Sequence, residues 1–244
     1  MPKRKILVLD ARADPWQDFL REFLEDTSSE LDFFQDAGAA KAAFQKQGHD
    51  RVFIQPSLLS LAWRQALEAR RATHAAFRVF AAGSPGAENA FRYDAVFAGT
   101  PVLADFQREL SVTLPLPEKV RILVVDDEPE IGAMIREFFE RRVRPSFEVG
   151  HAPDGKQGLE RVMASRPDVL ILDVKMPHMD GREVYRQLRT RGLEVPTIVF
   201  FDAISGDEMT EIRKYGRPAV VEKGAPQSAL PELMELVKKL AYFG

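Results

Sequence analysis

The 244-residue chain contains no cysteine. This absence excludes a disulfide framework, a thiolate metal site and a cysteine nucleophile, and it fits a reducing compartment. Long apolar runs are also missing, since none approaches the roughly 18 residues that a membrane-spanning helix needs. The apolar run nearest the N-terminus covers only residues 6–9, which is shorter than the apolar core of a signal peptide. We therefore expect a cytoplasmic protein that is not inserted in a membrane.

The chain also lacks an excess of basic residues. Its formal net charge is −3 at pH 7, and neither half is basic, so the sequence does not predict direct binding to nucleic acid. The hydrophobic fraction of 45% and the charged fraction of 29% are ordinary for a globular protein and argue against extensive disorder.

Two pairs of similar segments recur along the chain. KILVLD at residues 5–10 is similar to RILVVD at 121–126, and DRVFIQP at 50–56 is similar to DVLILDV at 168–174. Short apolar runs that are rich in β-branched residues are typical of strands buried on both faces of a parallel sheet. The repetition indicates that the two halves of the chain are related domains.

The division between the two domains is placed at a proline-containing segment. Pro115 and Pro117 disfavour a regular helix there and favour an extended link. We therefore predict one domain at residues 1–114, a linker at 115–119 and a second domain at 120–244.

The second half alternates between strand and helix patterns throughout. The strands are predicted at residues 120–125, 146–150, 168–172, 196–201 and 218–222, and the helices at 129–141, 154–165, 180–190, 206–215 and 226–241. Weaker strand patterns in the first half lie at 4–9, 31–34, 51–55, 77–81 and 94–97. Five strand–helix units in each half predict an α/β fold with two doubly wound parallel sheets in tandem.

Acidic residues and one lysine follow the predicted strands of the second half. Asp126 and Asp127 end the first strand, Asp173 ends the third and Lys223 ends the fifth. In a doubly wound sheet, ligands bind beyond the carboxyl ends of the strands, where the winding reverses. Three crowded carboxylates repel one another unless a cation neutralises them, and Mg²⁺ suits a few carboxylates together with water and a phosphate oxygen.

These residues, together with the motif DxxMPxMDG at 173–181, resemble the receiver domain of two-component response regulators. The resemblance covers residues 119–244 and, more weakly, 3–112, and it implies a CheY-like, flavodoxin-like fold. It further implies that Asp173 accepts a phosphoryl group from the phosphohistidine of a sensor histidine kinase or a histidine phosphotransfer protein. By the same resemblance, Lys223 contacts the phosphoryl group. The implied Mg²⁺ ligands are Asp126, Asp127, Asp173 and the backbone carbonyl of Lys175.

The second half departs from this family at the positions that usually form the switch. Phe201 stands where the family carries a serine or threonine, Asp202 follows it in place of a small residue, and Val220 replaces an aromatic residue. We therefore expect an atypical switch. Asp202 could repel a phosphoryl group or recruit the metal, or it could cap the next helix while Phe201 packs into the core.

The first half has lost most of the chemistry that the resemblance implies. It retains Asp10, but Ala11 replaces the second acid, Gln55 replaces the phosphoacceptor and Ala81 occupies the hydroxyl position; no lysine occurs at 97–101. We interpret it as a degenerate pseudo-receiver. Its large aromatic residues are either surface anchors or, as their helical spacing favours, core residues: Trp16, Phe19, Phe23 and Trp63.

The leading functional interpretation is a response regulator that signals through contacts with a downstream protein target; a homodimer is compatible with the resemblance. Its own chemistry would be limited to Mg²⁺-dependent self-phosphorylation and autodephosphorylation. One alternative is a phosphorylation-independent scaffold, and another is the receiver part of a longer regulator. A phosphatase on a related sheet is disfavoured, because such enzymes need an aspartate where Lys175 stands.

Overall fold

A computed structural model describes residues 4–11, 15–27, 29–87, 89–99, 101–103, 106, 118–142 and 145–243. The chain divides into two compact units. Each unit is built on a five-stranded sheet whose strands pair in parallel.

The first unit contains the strands with the weaker sequence patterns. Its strands are β1 (Lys5–Leu9), β2 (Glu30–Phe34), β3 (Arg51–Ile54), β4 (Arg78–Ala82) and β5 (Ala95–Phe97). Its helices are α1 (Pro15–Phe23), α2 (Ala37–Gln47) and α3 (Leu61–Thr73), with a short 3₁₀ turn at Pro56–Leu58. The strand order is β2-β1-β3-β4-β5.

The second unit repeats the strand order and has a helix between its fourth and fifth strands, where the described residues of the first unit have none, contrary to the five strand–helix units expected there. Its strands are β6 (Lys119–Val125), β7 (Ser146–Ala152), β8 (Val169–Asp173), β9 (Thr197–Phe201) and β10 (Ala219–Glu222). Its helices are α4 (Pro129–Glu140), α5 (Gly155–Ala164), α6 (Gly181–Thr190), α7 (Gly206–Arg213) and α8 (Pro226–Phe243). The order β7-β6-β8-β9-β10 matches that of the first unit. The prediction of tandem doubly wound, flavodoxin-like sheets is therefore confirmed.

The central strands of the second unit are apolar because helices cover both faces of the sheet. Alternate residues point to opposite faces: Val124 and Ile171 pack with α4 and α8, whereas Val125 and Leu172 pack with α5, α6 and α7. Burying both faces fixes the register, since a slip of one residue would exchange the two sets of side chains. The same register aligns the ends of β6 and β8 at one edge.

The predicted boundary at 114 lies outside the described residues, whereas residues 118–120 are described and β6 begins at Lys119, the last residue of the predicted linker. Pro115 and Pro117 lie outside the described residues. Thr100, in the segment 97–101 that contains no lysine, lies outside them as well. The boundaries at 114 and 120 therefore remain predictions.

The aromatic residues of the first unit belong to its core. Trp16 and Trp63 are 1% exposed, and Phe23 is also buried. Phe19 is half-buried and packs its ring against those of Trp16 and Phe23. The interpretation of these residues as surface anchors is therefore wrong.

The start of α6 lies very close to the backbone at the end of β8. Asp180 caps the helix by accepting a hydrogen bond from the backbone N–H of Glu183 at 2.9 Å. The next residue, Gly181, donates its N–H to the carbonyl of Val174 at 3.0 Å. A Cβ atom at position 181 would lie 2.0 Å from the carbonyl oxygen of Asp173. The DG sequence is therefore a packing requirement that positions Asp173.

We expect the substitution Gly181→Ala to destabilise the second unit by roughly 1–3 kcal/mol, the usual cost of forcing extra atoms into a packed site. The matched control is Gly206→Ala at the start of α7, where an added Cβ would meet nothing within 4 Å. Chemical denaturation measures both variants. A Gly181→Ala protein as stable as the Gly206→Ala protein would contradict this explanation.

Candidate functional site

The ends of three strands bring four charged residues of the second unit together. Asp126 and Asp127 directly follow β6, Asp173 is the last residue of β8 and Lys223 directly follows β10. The backbone N–H of Lys223 donates to the carbonyl of Phe201 at 2.6 Å, which extends the β9–β10 pairing by one residue. This contact holds the lysine at the same edge as the three acids.

Lys223 forms two buried ion pairs at this edge. Its Nζ lies 3.0 Å from Asp126 Oδ2 and 3.2 Å from Asp173 Oδ1. The side chain of Lys223 is 5% exposed, and those of Asp126 and Asp173 are 1% and 6% exposed. Charges in such a place are costly unless they are paired, so the three side chains depend on one another.

Burial shifts the titration of these groups. It raises the pKa of Asp126, and a hydrogen bond from the backbone N–H of Glu128 and the charge of Lys223 only partly oppose it. Burial also raises the pKa of Asp173 against the opposing effect of Lys223. For Lys223, burial lowers the pKa, but contacts with Asp126 and Asp173 outweigh it and leave the pKa above its ordinary value. Burial therefore makes the charged forms of both carboxylates costly even with Lys223 beside them.

The acids are arranged in a way that suits a small divalent cation. One ligand atom from each of Asp126, Asp127 and Asp173 lies within 4.8 Å of the others. In Mg²⁺ complexes, with bonds of about 2.1 Å, opposite ligands are about 4.2 Å apart. Asp126 Oδ2 is buried and lies 3.0 Å from Lys223 Nζ, while Asp127 is exposed. Lys175, whose carbonyl was predicted as a further ligand, lies two residues beyond Asp173 in the loop before α6.

The predicted switch positions lie beside this cluster. Phe201 is half-buried and packs against the core beneath α6 and α7. Val220 lies on β10 and is 36% exposed. Asp202 Oδ2 lies 3.8 Å from Lys223 Nζ. The core interpretation of Phe201 is thus supported.

The idea that Asp202 caps the next helix is wrong. Ser205 is the N-cap of α7, and it forms a reciprocal capping box with Glu208. A serine three residues before a glutamate is the usual signature of this motif, so the sequence already contained the signal. Asp202 is therefore left near Lys223 without a capping role.

The sequence analysis missed Glu128. Its carboxylate Oε1 lies 3.8 Å from Lys223 Nζ, and its backbone N–H donates to Asp126 Oδ1 at 2.9 Å. The signal was the run of three acids at 126–128, of which only the first two were considered.

The corresponding edge of the first unit is built differently. Asp10 is buried at the end of β1, and the N–H of the next residue, Ala11, donates to Gln55 Oε1 at 3.1 Å. Gln55 thus spans the ends of β1 and β3 with a neutral hydrogen bond, and Ala81 is buried in β4. Among the described residues, the acidic cluster of the second unit is the one group of three with metal-binding spacing.

The family model for the response regulator receiver domain matches residues 122–235. The second unit contains a response regulator receiver domain. The match includes all four charged residues at the ends of the strands. Receiver domains of this kind are generally not catalytic enzymes. The first unit is a second, similar α/β domain.

Curated relatives match half of the chain. The response regulator MprA of Mycobacterium ulcerans is 38% identical over 122 residues, which is 50% of this chain and 50% of that protein. MprA of Mycobacterium leprae is 37% identical over the same length and the same shares. The chain therefore spans about half the length of the curated relatives it matches.

Solved structures are similar to about half of the chain. The receiver domain of the Francisella response regulator 1452 is 27% identical, with a TM-score of 0.44; the match covers 50% of this chain and 96% of that chain. The Vibrio cholerae chemotaxis protein CheY4 is 26% identical, with a TM-score of 0.43 and coverage of 48% and 98%. Separately, no helix among the described residues has both the length and the apolar character needed to cross a bilayer.

We expect Asp173→Asn to stabilise the metal-free protein at pH 7. Because burial raises the pKa of Asp173 in the folded state, the folded state binds this proton more tightly than the unfolded chain. The contribution to stability therefore falls as pH rises from the ordinary value of about 4 through the raised pKa. Removing the charge should raise the melting temperature by roughly 2–4 °C, which corresponds to about 1 kcal/mol in a chain of this size.

The gain should vanish below about pH 4, where an ordinary aspartate is itself protonated. Saturating Mg²⁺ should stabilise the unsubstituted protein and not the Asp173→Asn protein, which reverses their order. The control Asp207→Asn removes one charge at an exposed site in α7 and should give no gain. If Asp173→Asn is less stable than the unsubstituted protein at pH 7 in the presence of a chelator, the charged Asp173 carboxylate stabilises the fold and the prediction is wrong.

Proposed function

We propose that the second unit accepts a phosphoryl group on Asp173 from the phosphohistidine of a sensor histidine kinase or a histidine phosphotransfer protein. The observation that carries the proposal is the position of Lys223. Its ammonium group contacts both Asp126 and Asp173 within a segment that matches the receiver family. The lysine is thus held where a phosphoryl group on Asp173 would need a cation.

The chemistry requires few groups. A carboxylate oxygen of Asp173 attacks phosphorus, the P–N bond of phosphohistidine breaks, and the bonding electron pair leaves with the imidazole nitrogen. Lys223 neutralises charge on the transferred oxygens, which is the main contribution a protein makes to phosphoryl transfer. Asp126, Asp127, Asp173 and the carbonyl of Lys175 would hold Mg²⁺, which supplies further positive charge to those oxygens when it is bound. Autodephosphorylation would use the same residues.

We propose that the switch is weakly coupled to phosphorylation. A ligand shifts a two-state equilibrium only through contacts that differ between the states. Phe201 has no hydroxyl to bond a phosphoryl oxygen, and Val220 has no ring to change rotamer. Coupling would then pass through Lys223 and the loop after Asp173, and the output would be a contact with a downstream protein.

The first unit is best interpreted as a degenerate pseudo-receiver that serves in binding. A single buried acid, Asp10, is too few for a receiver-type Mg²⁺ site. The amide of Gln55 is engaged by the N–H of Ala11 and is not a useful phosphoryl acceptor. A cytoplasmic location, a homodimer and the absence of direct nucleic-acid binding remain predictions.

A phosphorylation-independent scaffold is the second candidate. It is favoured by the replacement of both switch residues and by the negative charge of Asp202 near Lys223. The receiver part of a longer regulator is a further candidate, since the match with the curated relatives covers half of their length.

Asp173 should be the only residue labelled by a phosphodonor. Incubation with acetyl phosphate and Mg²⁺ should add one phosphoryl group, detected by intact mass and located by reduction with borohydride. Asp173→Asn should abolish the labelling because the attacking carboxylate is gone. Chelation of Mg²⁺ should abolish it as well.

The matched control is Gln55→Ala, at the corresponding position of the first unit, which should leave labelling intact. Labelling that persists in the Asp173→Asn protein would show that the phosphoacceptor is misplaced. An unlabelled natural protein would favour the scaffold.

A phosphoryl analogue should bind with little rearrangement of the β9–α7 region. Hydrogen exchange with and without beryllofluoride and Mg²⁺ should show protection around Asp173 and Lys223, but only small changes at residues 200–216. The Asp173→Asn protein is the control for specific binding. Large changes confined to residues 200–222 would contradict weak coupling and would indicate that Phe201 acts as an aromatic switch.

A further inference from the structure

Four carboxylates surround Lys223. Asp126 and Asp173 lie 3.0 and 3.2 Å from its Nζ, and Glu128 and Asp202 both lie 3.8 Å from it. Asp126 and Asp173 are buried, whereas the side chain of Asp202 is 70% exposed. Asp202 therefore approaches the lysine from the solvent side of the site, along which a phosphodonor must arrive.

Asp202 has no evident role in holding the fold together. It follows β9 and does not cap α7, since Ser205 does. Among the described residues, Lys223 is the cation with which its carboxylate pairs. Removing its charge therefore leaves the helix cap intact, and Lys223 keeps its two closer partners, Asp126 and Asp173.

A phosphoryl group on Asp173 would compete with this carboxylate. To be neutralised by Lys223, a phosphoryl oxygen must lie within hydrogen-bond distance of Nζ, at about 2.8 Å. Since Asp202 Oδ2 lies 3.8 Å from the same nitrogen, two negative groups would be brought close together. Their repulsion is reduced by water and salt but remains appreciable at such short separations.

We propose that Asp202 restrains the phosphorylation of Asp173 by sharing Lys223 and by repelling the incoming phosphoryl group. The inference rests on the proposed function of Asp173. Asp202, which stands where the receiver family carries a small residue, would then control the rate of phosphoryl transfer. With acetyl phosphate, Asp173 attacks phosphorus, the P–O bond to the acetyl group breaks, and acetate leaves with the bonding pair. The restraint acts on the approach of the dianionic phosphoryl group.

The alternative role for Asp202 is a contribution to metal binding, and it predicts the opposite result. A residue that helps to hold Mg²⁺ should, when neutralised, weaken Mg²⁺ binding and slow phosphorylation. A residue that restrains transfer should, when neutralised, accelerate phosphorylation and leave the affinity for Mg²⁺ little changed. Measuring the rate and the Mg²⁺ affinity on the same variants separates the two roles.

The test compares the natural protein with Asp202→Asn and Asp202→Ala. The matched control is Asp207→Asn, which removes an exposed charge five residues further along. Initial rates of Asp173 labelling are measured with acetyl phosphate at saturating Mg²⁺. Mg²⁺ affinity is measured without a donor, and the affinity for beryllofluoride is measured at saturating Mg²⁺.

We expect both Asp202 variants to be labelled about five- to tenfold faster, where tenfold corresponds to about 1.4 kcal/mol. Both variants should also bind beryllofluoride more tightly than the natural protein. Their affinity for Mg²⁺ should differ from that of the natural protein by less than about threefold. The ratio of the variants' labelling rates to that of the natural protein should fall towards one near 1 M salt, where the screening length is about 3 Å. The Asp207→Asn protein should behave as the natural one.

Four outcomes would overturn the inference. Equal rates for all variants would remove it while leaving Asp173 as the phosphoacceptor. Slower labelling together with weaker Mg²⁺ binding would make Asp202 part of the metal site. A gain in Asp202→Asn without one in Asp202→Ala would assign the effect to a new amide hydrogen bond. No labelling of any protein, the natural one included, would refute the proposed function and the inference with it.

Discussion

The buried ion pairs of Lys223 with Asp126 and Asp173 are the interaction on which the site depends. The three side chains come from the ends of three different strands, and each is at most 6% exposed. An isolated charge in such a place would be strongly unfavourable, and paired charges are tolerated only in good geometry. The sheet must therefore hold β6, β8 and β10 in register, and the close contact of Gly181 with the backbone of Asp173 serves the same purpose.

One lysine does not balance the acids around it. Asp127 and Glu128 add to the negative charge of the buried pair, and Asp202 adds to it from the exposed side. This excess of acids surrounds two carboxylates, Asp126 and Asp173, whose pKa values are raised mainly by burial. The same excess gives the edge a strong attraction for a divalent cation. The proposed Mg²⁺ site rests on this combination of buried and exposed acids.

The two units show how one strand order can carry different chemistry. Both sheets have the order second, first, third, fourth, fifth strand along the chain, and both place an aspartate after the first strand. In the first unit, Gln55 bonds the N–H of Ala11 across the strand ends. A neutral hydrogen bond thus occupies the edge where the second unit gathers charged groups. The fold tolerates both because the edge lies beyond the strands and outside the packed core.

The sequence by itself determined the strand–helix alternation, the doubling of the domain and the residues at the ends of β6, β8 and β10. These features depend on local patterns: continuous apolar runs for buried strands, and acids or a lysine directly after them. Only the tertiary structure decided which side chains meet. Glu128 and Asp202 both lie 3.8 Å from Lys223 Nζ, although they are far from it in the chain. Such distances depend on how the strands pair and on the path of each loop that connects them. The burial of Lys223 in turn makes this one lysine the partner of several acids.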